Sequence, residues 1–292
     1  MKFSLPKQSR LSKNVALGSL LAATTLGISF ASTITANSAT QRTLHVQRLS
    51  GRVTTLAGGR KNAQVGDRLT AAGHSIATGY RSSANLRIDG GSGSIAVAQN
   101  THMIVEQLSV SSSGGHVTVL DVPRGQARVQ VPPFTNPSSR LELHTPSGVA
   151  AVRGTDFGVV VSEDGKTGIA TLEGKVEASA QSVAVPVEAG MVSIIRPGET
   201  PTPAKPLDRE LDIQWTLYEW RDKQLHIEGK INPANTLLVA GEDITIGRTG
   251  YFKADIPLKK RTHRVIATVK NPMGETRRHR LFHWLAHHNF DS

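Results

Sequence analysis

The chain has 292 residues and a formal net charge of +11, and it contains no cysteine. This length is sufficient for one large domain or two ordinary domains. The absence of cysteine excludes a disulfide framework, a thiolate zinc site, a cysteine nucleophile and a lipoprotein anchor, so the hydrophobic core must provide the stability.

Residues 1–38 are typical of a secretory signal peptide. Four cations with no acid among them precede the short apolar run VALGSLLAATTLGISFA, and the small residues STITANSAT follow it. Ala36 and Ser38 fit a cleavage site of the small-x-small type. The alternative is an uncleaved membrane anchor, but the run is short and weakly apolar compared with the roughly 20 residues that a spanning helix needs. We therefore expect an exported protein, either periplasmic or secreted.

Residues 44–195 are predicted to form a series of short β-strands. Segments rich in Val, Ile, Leu and Thr, many of them alternating, are separated by turn-forming pairs such as Gly-Gly, Pro-Pro and Asp-Gly. A glycine followed by an alternating valine recurs at unequal intervals in LSGRV (49–53), PRGQARV (123–129) and LEGKV (172–176). Glycine in such places permits a bulge or a close approach of two backbones, so we expect layers that are built alike.

The rest of the chain is predicted to hold a linker and a second β module. Residues 196–210 contain four prolines, which predicts a semi-rigid, poorly packed linker and a domain boundary. Residues 211–292 return to evenly spaced strand patterns with turns between them, as expected of a small β-sandwich.

Three segments of the first β region carry a resemblance to a known family. TPSGVAAVRGTDF (145–157), LEGKV (172–176) and MVSII (191–195) follow one another in that order. With upstream segments such as VGDRLTAAGHSIATGYRSSANLRI, they resemble the FecR domain, which is named for the ferric-citrate regulator of bacterial envelopes. The resemblance covers residues 44–195 and implies a layered, solenoid-like β domain of the sensor type.

The sequence departs from this family before the β region. Regulators with this domain carry a cytoplasmic segment that binds a sigma factor, followed by a single transmembrane helix. Here fewer than 45 residues precede the β region, and they are typical of a signal peptide. The resemblance therefore implies the sensor fold more directly than it implies a role in transcription.

The centre of the family motif holds two opposite charges, Arg153 and Asp156. In the interpretation that we favour, Gly154 forms a bulge that turns both side chains to one side, where they pair and hold a strand turn. The alternative is a catalytic or ligand-binding pair, but no second carboxylate, histidine or nucleophile lies at a fixed local spacing. The motif residues predicted to be structural are Arg153, Gly154, Thr155, Asp156, Phe157 and Gly174.

The second module has a looser resemblance to the Ig-like modules of secreted bacterial proteins. The positions that match are Gly229, Pro233, Val239, Gly241, Gly250, Phe252, Leu258, Ile266, Asn271 and Gly274. This resemblance implies a module that binds or spaces rather than catalyses.

The positive charge is concentrated near the C-terminus. Outside the four cations of the signal-like segment the chain has a net charge of +7, and residues 259–280 alone hold eight Lys or Arg against one acid. If neighbouring strands pair, these cations converge on one face and attract an anionic partner; alternatively, strand alternation scatters them over a solvated surface. The candidate residues are Lys259, Lys260, Arg261, Arg264, Lys270, Arg277, Arg278 and Arg280.

The sequence shows no motif of a known catalytic or cofactor site. There is no GxSxG, HExxH, Walker or Rossmann pattern. His279, His283 and His287 would stack as metal ligands on a helix, but the segment RRHRLFHW also alternates as a strand, which would separate them. We expect no cofactor, no metal and no catalytic residue.

These observations predict an exported, two-domain, all-β protein without enzymatic activity. The first hypothesis is a binding or scaffolding protein of the cell envelope that contacts an envelope protein or an anionic polymer or lipid, with no nucleic-acid partner. The second is a periplasmic sensor of iron or envelope status that acts through a separate membrane regulator. An enzyme acting on cell-wall glycan is a third and weaker hypothesis.

Overall fold

In the computed structural model, the described residues are 42–89, 91–222, 224–257 and 264–282. They belong to one compact unit and contain β-strands but no α-helix. Within these residues, therefore, no helix has the length and apolarity needed to cross a membrane.

The first module consists of two layers that share one long strand, β9. In spatial order, layer one contains β4 (Arg68–Leu69), β1 (Leu44–Ser50), β6 (Ser83–Ile88), β7 (Gly93–Val97), β9 (His116–Gln130), β12 (Asp156–Val161), β13 (Thr167–Glu173), β16 (Met191–Ile195) and β17 (Lys205–Pro206). Layer two contains β3 (Arg60–Asn62), β2 (Val53–Leu56), β5 (Ser75–Thr78), β8 (His102–Val110), β9, β10 (Arg140–Thr145), β11 (Gly148–Val152), β14 (Lys175–Ala180) and β15 (Val183–Glu188). All of these pairings are antiparallel except that of β9 with β10, which is parallel.

The recurrent glycines mark places where the chain passes from one layer to the other. Gly51 lies between β1 and β2, Gly174 lies between β13 and β14, and Gly125 lies at the bend of β9. All three have positive φ, between +72° and +92°. A Cβ atom at any of them would collide with a neighbouring segment. The prediction that these glycines permit a close backbone approach is therefore confirmed.

The core of the first module lies between the two layers. Leu86 and Phe157 from layer one and Ile76, Leu120 and Leu143 from layer two are fully buried. Burial of each such side chain stabilises the fold by roughly 1.5–3 kcal/mol. The prediction of an all-β, layered fold is confirmed.

The second module is a small sandwich of two sheets. One sheet contains β18 (Gln214–Arg221), β19 (Gln224–Lys230) and β22 (Tyr251–Pro257). The other contains β21 (Glu242–Ile244), β20 (Thr236–Val239), β23 (Arg264–Lys270) and β24 (Thr276–Phe282). Their inner faces enclose a separate core, in which the rings of Trp215 and Phe252 meet edge to face at 5.6 Å between centroids.

The Pro-rich segment, residues 196–210, is packed against layer one. The amide of Thr202 donates to the carbonyl of Ile194 at 2.9 Å, the amide of Leu207 donates to that of Gly190 at 2.8 Å, and β17 pairs with β16. The prediction of a poorly packed linker is therefore wrong. Proline is compatible with an edge strand because the missing N–H points away from the sheet, and the residues between the prolines supply the donors.

Candidate functional site

The outer face of layer one is divided into an apolar half and a polar half. One row of paired positions crosses the sheet from strand to strand. In order, it contains Arg48, Asn85, Ala96, Arg128 and Gly158. Beyond Gly158 the same row contains small or apolar residues, Ala170 on β13 and Val192 on β16.

The second module covers the apolar half. The turn that joins β23 to β24 lies directly over Gly158, where a Cβ atom would collide with the backbone carbonyl of Pro272. A Cβ atom at Gly168 would lie 3.0 Å from Cγ of Pro272. The cluster buried between the two modules contains Ala170, Val192, Ile194, Leu207, Ala234 and Met273. The two glycines thus form a flat platform on which the second module docks.

Two buried polar side chains hold the modules together. Nε2 of Gln126 donates to the carbonyls of Asn271 at 2.9 Å and Pro272 at 2.7 Å. Nζ of Lys166, which is only 2% exposed, donates to the carbonyls of Pro233 at 3.0 Å and Asn235 at 3.2 Å. These bonds satisfy carbonyls that docking removes from water, so loss of either side chain should weaken the interface.

Lys166 should make the stability of the protein depend on pH. Burial lowers the pKa of Lys166 to about 8 from its ordinary value of 10.5; Asp164 opposes this effect and Arg196 adds to it. Because the unfolded chain then binds more protons than the folded one between about pH 8 and 10.5, this group raises the free energy of unfolding as the pH rises through that window. The gain should be roughly 3 kcal/mol, and it should be absent below pH 8.

The variant Lys166→Met tests this expectation. Urea unfolding at pH 7 and at pH 10 should show a smaller gain for Lys166→Met than for the unaltered protein, while Lys205→Met, at an exposed position on β17, should match the unaltered protein. An identical pH dependence in all three proteins would contradict the role given to Lys166.

Beside the docked turn, the two modules leave an open groove with a larger and a smaller part. The larger part has a volume of about 1130 Å³. One of its walls is formed by the first module, from segments that link the two layers and from the turn between β12 and β13. The other wall is the outer face of the sheet formed by β20, β21, β23 and β24. The smaller part, of about 540 Å³, extends over the polar half of layer one. Residues lining both parts are Ser83, Ala98, Gln126, Lys270 and Gly274. We call the two parts together the inter-module groove.

Lys270 and Asp243 are a cation and a carboxylate that line the larger part, where Lys270 is half-buried and Asp243 lies nearer the solvent. Burial lowers the pKa of Lys270 to about 8, although the nearby carboxylate of Asp243 acts against this shift. Burial also raises the pKa of Asp243, and repulsion from Glu163 contributes in the same direction. Lys270 is therefore a partly desolvated cation, whose attraction for an anion entering the groove is stronger than that of a fully hydrated lysine.

Only part of the predicted basic cluster is brought together. Lys270, Arg278 and Arg280 lie on one face of the sheet, because they occupy alternate or directly opposed positions on β23 and β24. Arg277 is turned away from that face, and its Nη1 lies 2.6 Å from Oδ1 of Asp212. Residues 259–261, with Lys259, Lys260 and Arg261, and the side chain of Arg264 lie outside the described residues.

The charged pair expected within the family motif has a different partner. Nε and Nη2 of Arg128 donate to Oδ1 and Oδ2 of Asp156 at 2.8 and 2.7 Å, so the prediction that Asp156 pairs with Arg153 is wrong. Asp156 begins β12 beside β9, where Arg128 occupies the same outer face, whereas Arg153 is exposed in the preceding turn. The carboxylate of Asp156 is buried, since this residue is only 5% exposed. The bidentate pair is therefore a structural tie between two strands.

The motif glycines bring the family segments into contact. A Cβ atom at Gly154 would collide with Pro133, and one at Gly174 would lie 2.8 Å from the carbonyl oxygen of Gly154 and 2.9 Å from Cγ2 of Thr155. Phe157, which follows on β12, is fully buried in the core. The exclusively structural role of this motif remains a prediction.

The histidines considered as metal ligands are not brought together in the described part of the chain. His279 lies on β24, and its Nε2 is 2.9 Å from the carbonyl oxygen of Leu211, while His283 and His287 lie outside the described residues. Among the residues that the structure describes, no group of three or more His, Asp or Glu is arranged to hold a metal ion.

Sequence reasoning missed the residues that dock the second module, but a signal for two of them was present. Gly158 and Gly168 interrupt otherwise strand-like runs, DFGVVV and TGIATL, and a glycine inside a strand often marks the close approach of another backbone. Gln126 and Lys166 gave no comparable signal, because their acceptors lie far away in the chain.

Comparison with known proteins supports the family resemblance for part of the first module. The family model described as "FecR protein" matches residues 74–177, about a third of the chain. The match includes the motif around Asp156 and all of Leu172 to Val176, but it leaves out the second module. The resemblance of that module to Ig-like domains therefore remains a prediction.

Two crystal structures from Parabacteroides distasonis, each of a protein proposed to be an anti-sigma factor, are similar to the chain at low sequence identity. The first is 16% identical, with a TM-score of 0.39, and the match covers 47% of this chain and 61% of that one. The second is also 16% identical, with a TM-score of 0.33, and the match covers 40% and 53%. In both comparisons the match covers less than two thirds of this chain and less than two thirds of the matched chain. At these TM-scores the likeness carries no argument about function. The comparison with curated proteins gives no match.

Proposed function

We propose that the protein is a non-enzymatic sensor of the FecR type, which passes on a signal by binding a partner in the inter-module groove. The observation that carries this proposal is the FecR family match over residues 74–177, since that segment contributes one wall of the groove. The match favours a signalling role over the binding or scaffolding role. In this proposal the protein is exported and acts through a separate membrane regulator.

The docking of the second module supports a preformed binding site. Because Gln126 and Lys166 bond to its backbone and Pro272 lies on the glycine platform, both walls of the groove are fixed before a partner arrives. A preformed site loses less conformational entropy on binding than a site that must be assembled.

The chemistry of the groove suits recognition more than proton transfer. Three of the cations that line its larger part are arginines, Arg81, Arg124 and Arg278. A guanidinium remains protonated at all ordinary pH values and binds anionic groups through several N–H donors, whereas a general acid or base must gain and lose a proton. This is the basis on which we propose a role without catalysis.

Obstruction of the groove should abolish signalling without unfolding the protein. Ser83 is exposed and lines both parts of the groove, so Ser83→Trp should fill their junction. In the native host, deletion of the chain should change the abundance of a defined set of transcripts. The unaltered protein should restore those transcripts, and Ser83→Trp should not.

Thr54→Trp is the matched control, because Thr54 lies on β2 in layer two and outside the groove. It should restore the transcripts, and both variants should melt close to the unaltered protein. Unchanged transcripts after deletion, or full restoration by Ser83→Trp, would refute the signalling proposal and favour the scaffolding role.

A further inference from the structure

We propose that the inter-module groove binds an acidic, extended segment of a partner polypeptide. This inference rests on the proposed function, because it names the class of partner for the same site. It is carried by the charges that line the groove, by the regular spacing of side chains on one wall, and by the concave shape of the site.

The charge of the groove favours an anionic ligand. The described residues that line its two parts include six cations and three carboxylates. The cations are Arg48, Arg81, Arg124, Arg128, Lys270 and Arg278. The carboxylates are Glu163, Asp164 and Asp243, all of them in the larger part. Among the described residues lining the smaller part there is no carboxylate. Arg128 is paired there with the buried Asp156, so Arg48 and Lys270 supply most of the positive charge of that part.

The carboxylates of the larger part are grouped rather than interspersed. Glu163 and Asp164 are neighbours in one turn, and Glu163 acts on Asp243 across the groove. The smaller part, with Arg48 and Lys270, can therefore receive acidic side chains without facing these repelling charges.

The side chains on one wall of the groove are spaced like those on one face of an extended peptide. Ile266, Thr268 and Lys270 alternate along β23, and Arg278 lies opposite Thr268 on the same face. Side chains on one face of a strand repeat every two residues, about 6.6–6.8 Å apart, which is also the repeat of acidic side chains at every second position of an extended segment. Ile266 is 47% exposed on this wall and Tyr80 is 53% exposed on the other, so apolar contacts are available between the charges.

The concave shape of the groove separates a polypeptide from a membrane surface. Lys270 and Gln126 lie at its base, where Lys270 is only partly exposed and Gln126 is buried. A nearly flat lipid surface does not reach the base of a groove between two folded modules, whereas a single extended chain does. We therefore place the acidic groups on a polypeptide.

The test uses the full chain and a fluorescent peptide that alternates glutamate with alanine and has blocked ends. Fluorescence anisotropy at low salt should show binding that weakens as salt rises, because exposed charges are screened. The double variant Arg48→Glu with Arg278→Glu reverses one exposed cation on each module and should weaken binding by about tenfold or more.

The control double variant, Arg153→Glu with Lys205→Glu, makes the same change of net charge at exposed positions that do not line the groove. It should bind the peptide within about twofold of the unaltered protein, by the same reasoning on local charge. A similar loss in both double variants would show attraction to net charge alone and would overturn the proposal.

Four further probes distinguish the alternatives. A matching lysine–alanine peptide should not bind, and an isomer with its glutamates contiguous should bind more weakly than the alternating peptide. Equal binding of the isomer would overturn the extended geometry. The choice of a polypeptide would be overturned if phosphatidylglycerol vesicles or inorganic polyphosphate bind through Arg48 and Arg278 while the peptide does not bind.

If Ser83→Trp abolishes the transcript response while the peptide never binds, the proposed function stands and this inference fails.

Discussion

The variant Gly158→Val is expected to separate the second module from the first. A Cβ atom at Gly158 would collide with the backbone carbonyl of Pro272, which cannot move aside as a flexible side chain would. The variant should lose the apolar contacts around Met273 and the bonds from Gln126 and Lys166, with a loss in the free energy of unfolding of at least about 3 kcal/mol.

Calorimetry and limited proteolysis measure this separation. The unaltered protein should melt in one main transition, and Gly158→Val should melt in two, with new cleavage between residues 207 and 213. Gly158→Ala adds the Cβ atom alone and should show smaller changes in melting and in cleavage, in the same direction. Both variants should also lose binding of the acidic peptide, because one wall of the groove is displaced.

Gly91→Val serves as the control for the added side chain. No atom lies within 4 Å of a Cβ built at Gly91, so valine there should leave the melting curve unchanged. A single, unshifted transition in Gly158→Val would show that the modules are not held together by the platform.

The variant Arg128→Met is expected to destabilise the first module, whereas Arg153→Met should not. Removal of Arg128 leaves the buried carboxylate of Asp156 without its bidentate partner. Stranding a well-buried charge costs roughly 3–5 kcal/mol, but the guanidinium side is 40% exposed and admits water, so we expect about 2–3 kcal/mol.

Chemical unfolding of the two methionine variants decides between the partner observed for Asp156 and the partner that the motif predicts. Arg153 is exposed, so Arg153→Met should change the free energy of unfolding by less than about 0.5 kcal/mol. Arg128→Lys keeps the charge but loses the two-donor geometry and should lie between the two. A larger loss in Arg153→Met than in Arg128→Met would overturn the assignment.

Local pattern determined the strands and the glycine corners of this protein. Where apolar residues alternate along a strand, they all lie on the face that packs into the core. This pattern depends only on side chains two positions apart. The positive φ of Gly51, Gly125 and Gly174 is likewise a local property, since only glycine adopts it without strain. The all-β class, the layered construction and the recurrence of close backbone passes could therefore be predicted from the sequence.

The partner of Asp156, the docking of the second module and the groove between the modules were decided only by the tertiary structure. Alternation assigns a residue to a face, but the register between strands decides which residue lies beside it, and Arg128 precedes Asp156 by 28 positions. The acceptors of Gln126 follow it by 145 and 146 positions. The spread of Lys270, Arg48 and Arg81 along the chain likewise gave no sign that all three line one groove. Such neighbours are fixed by the summed packing of many strands, and no short window of sequence contains that information.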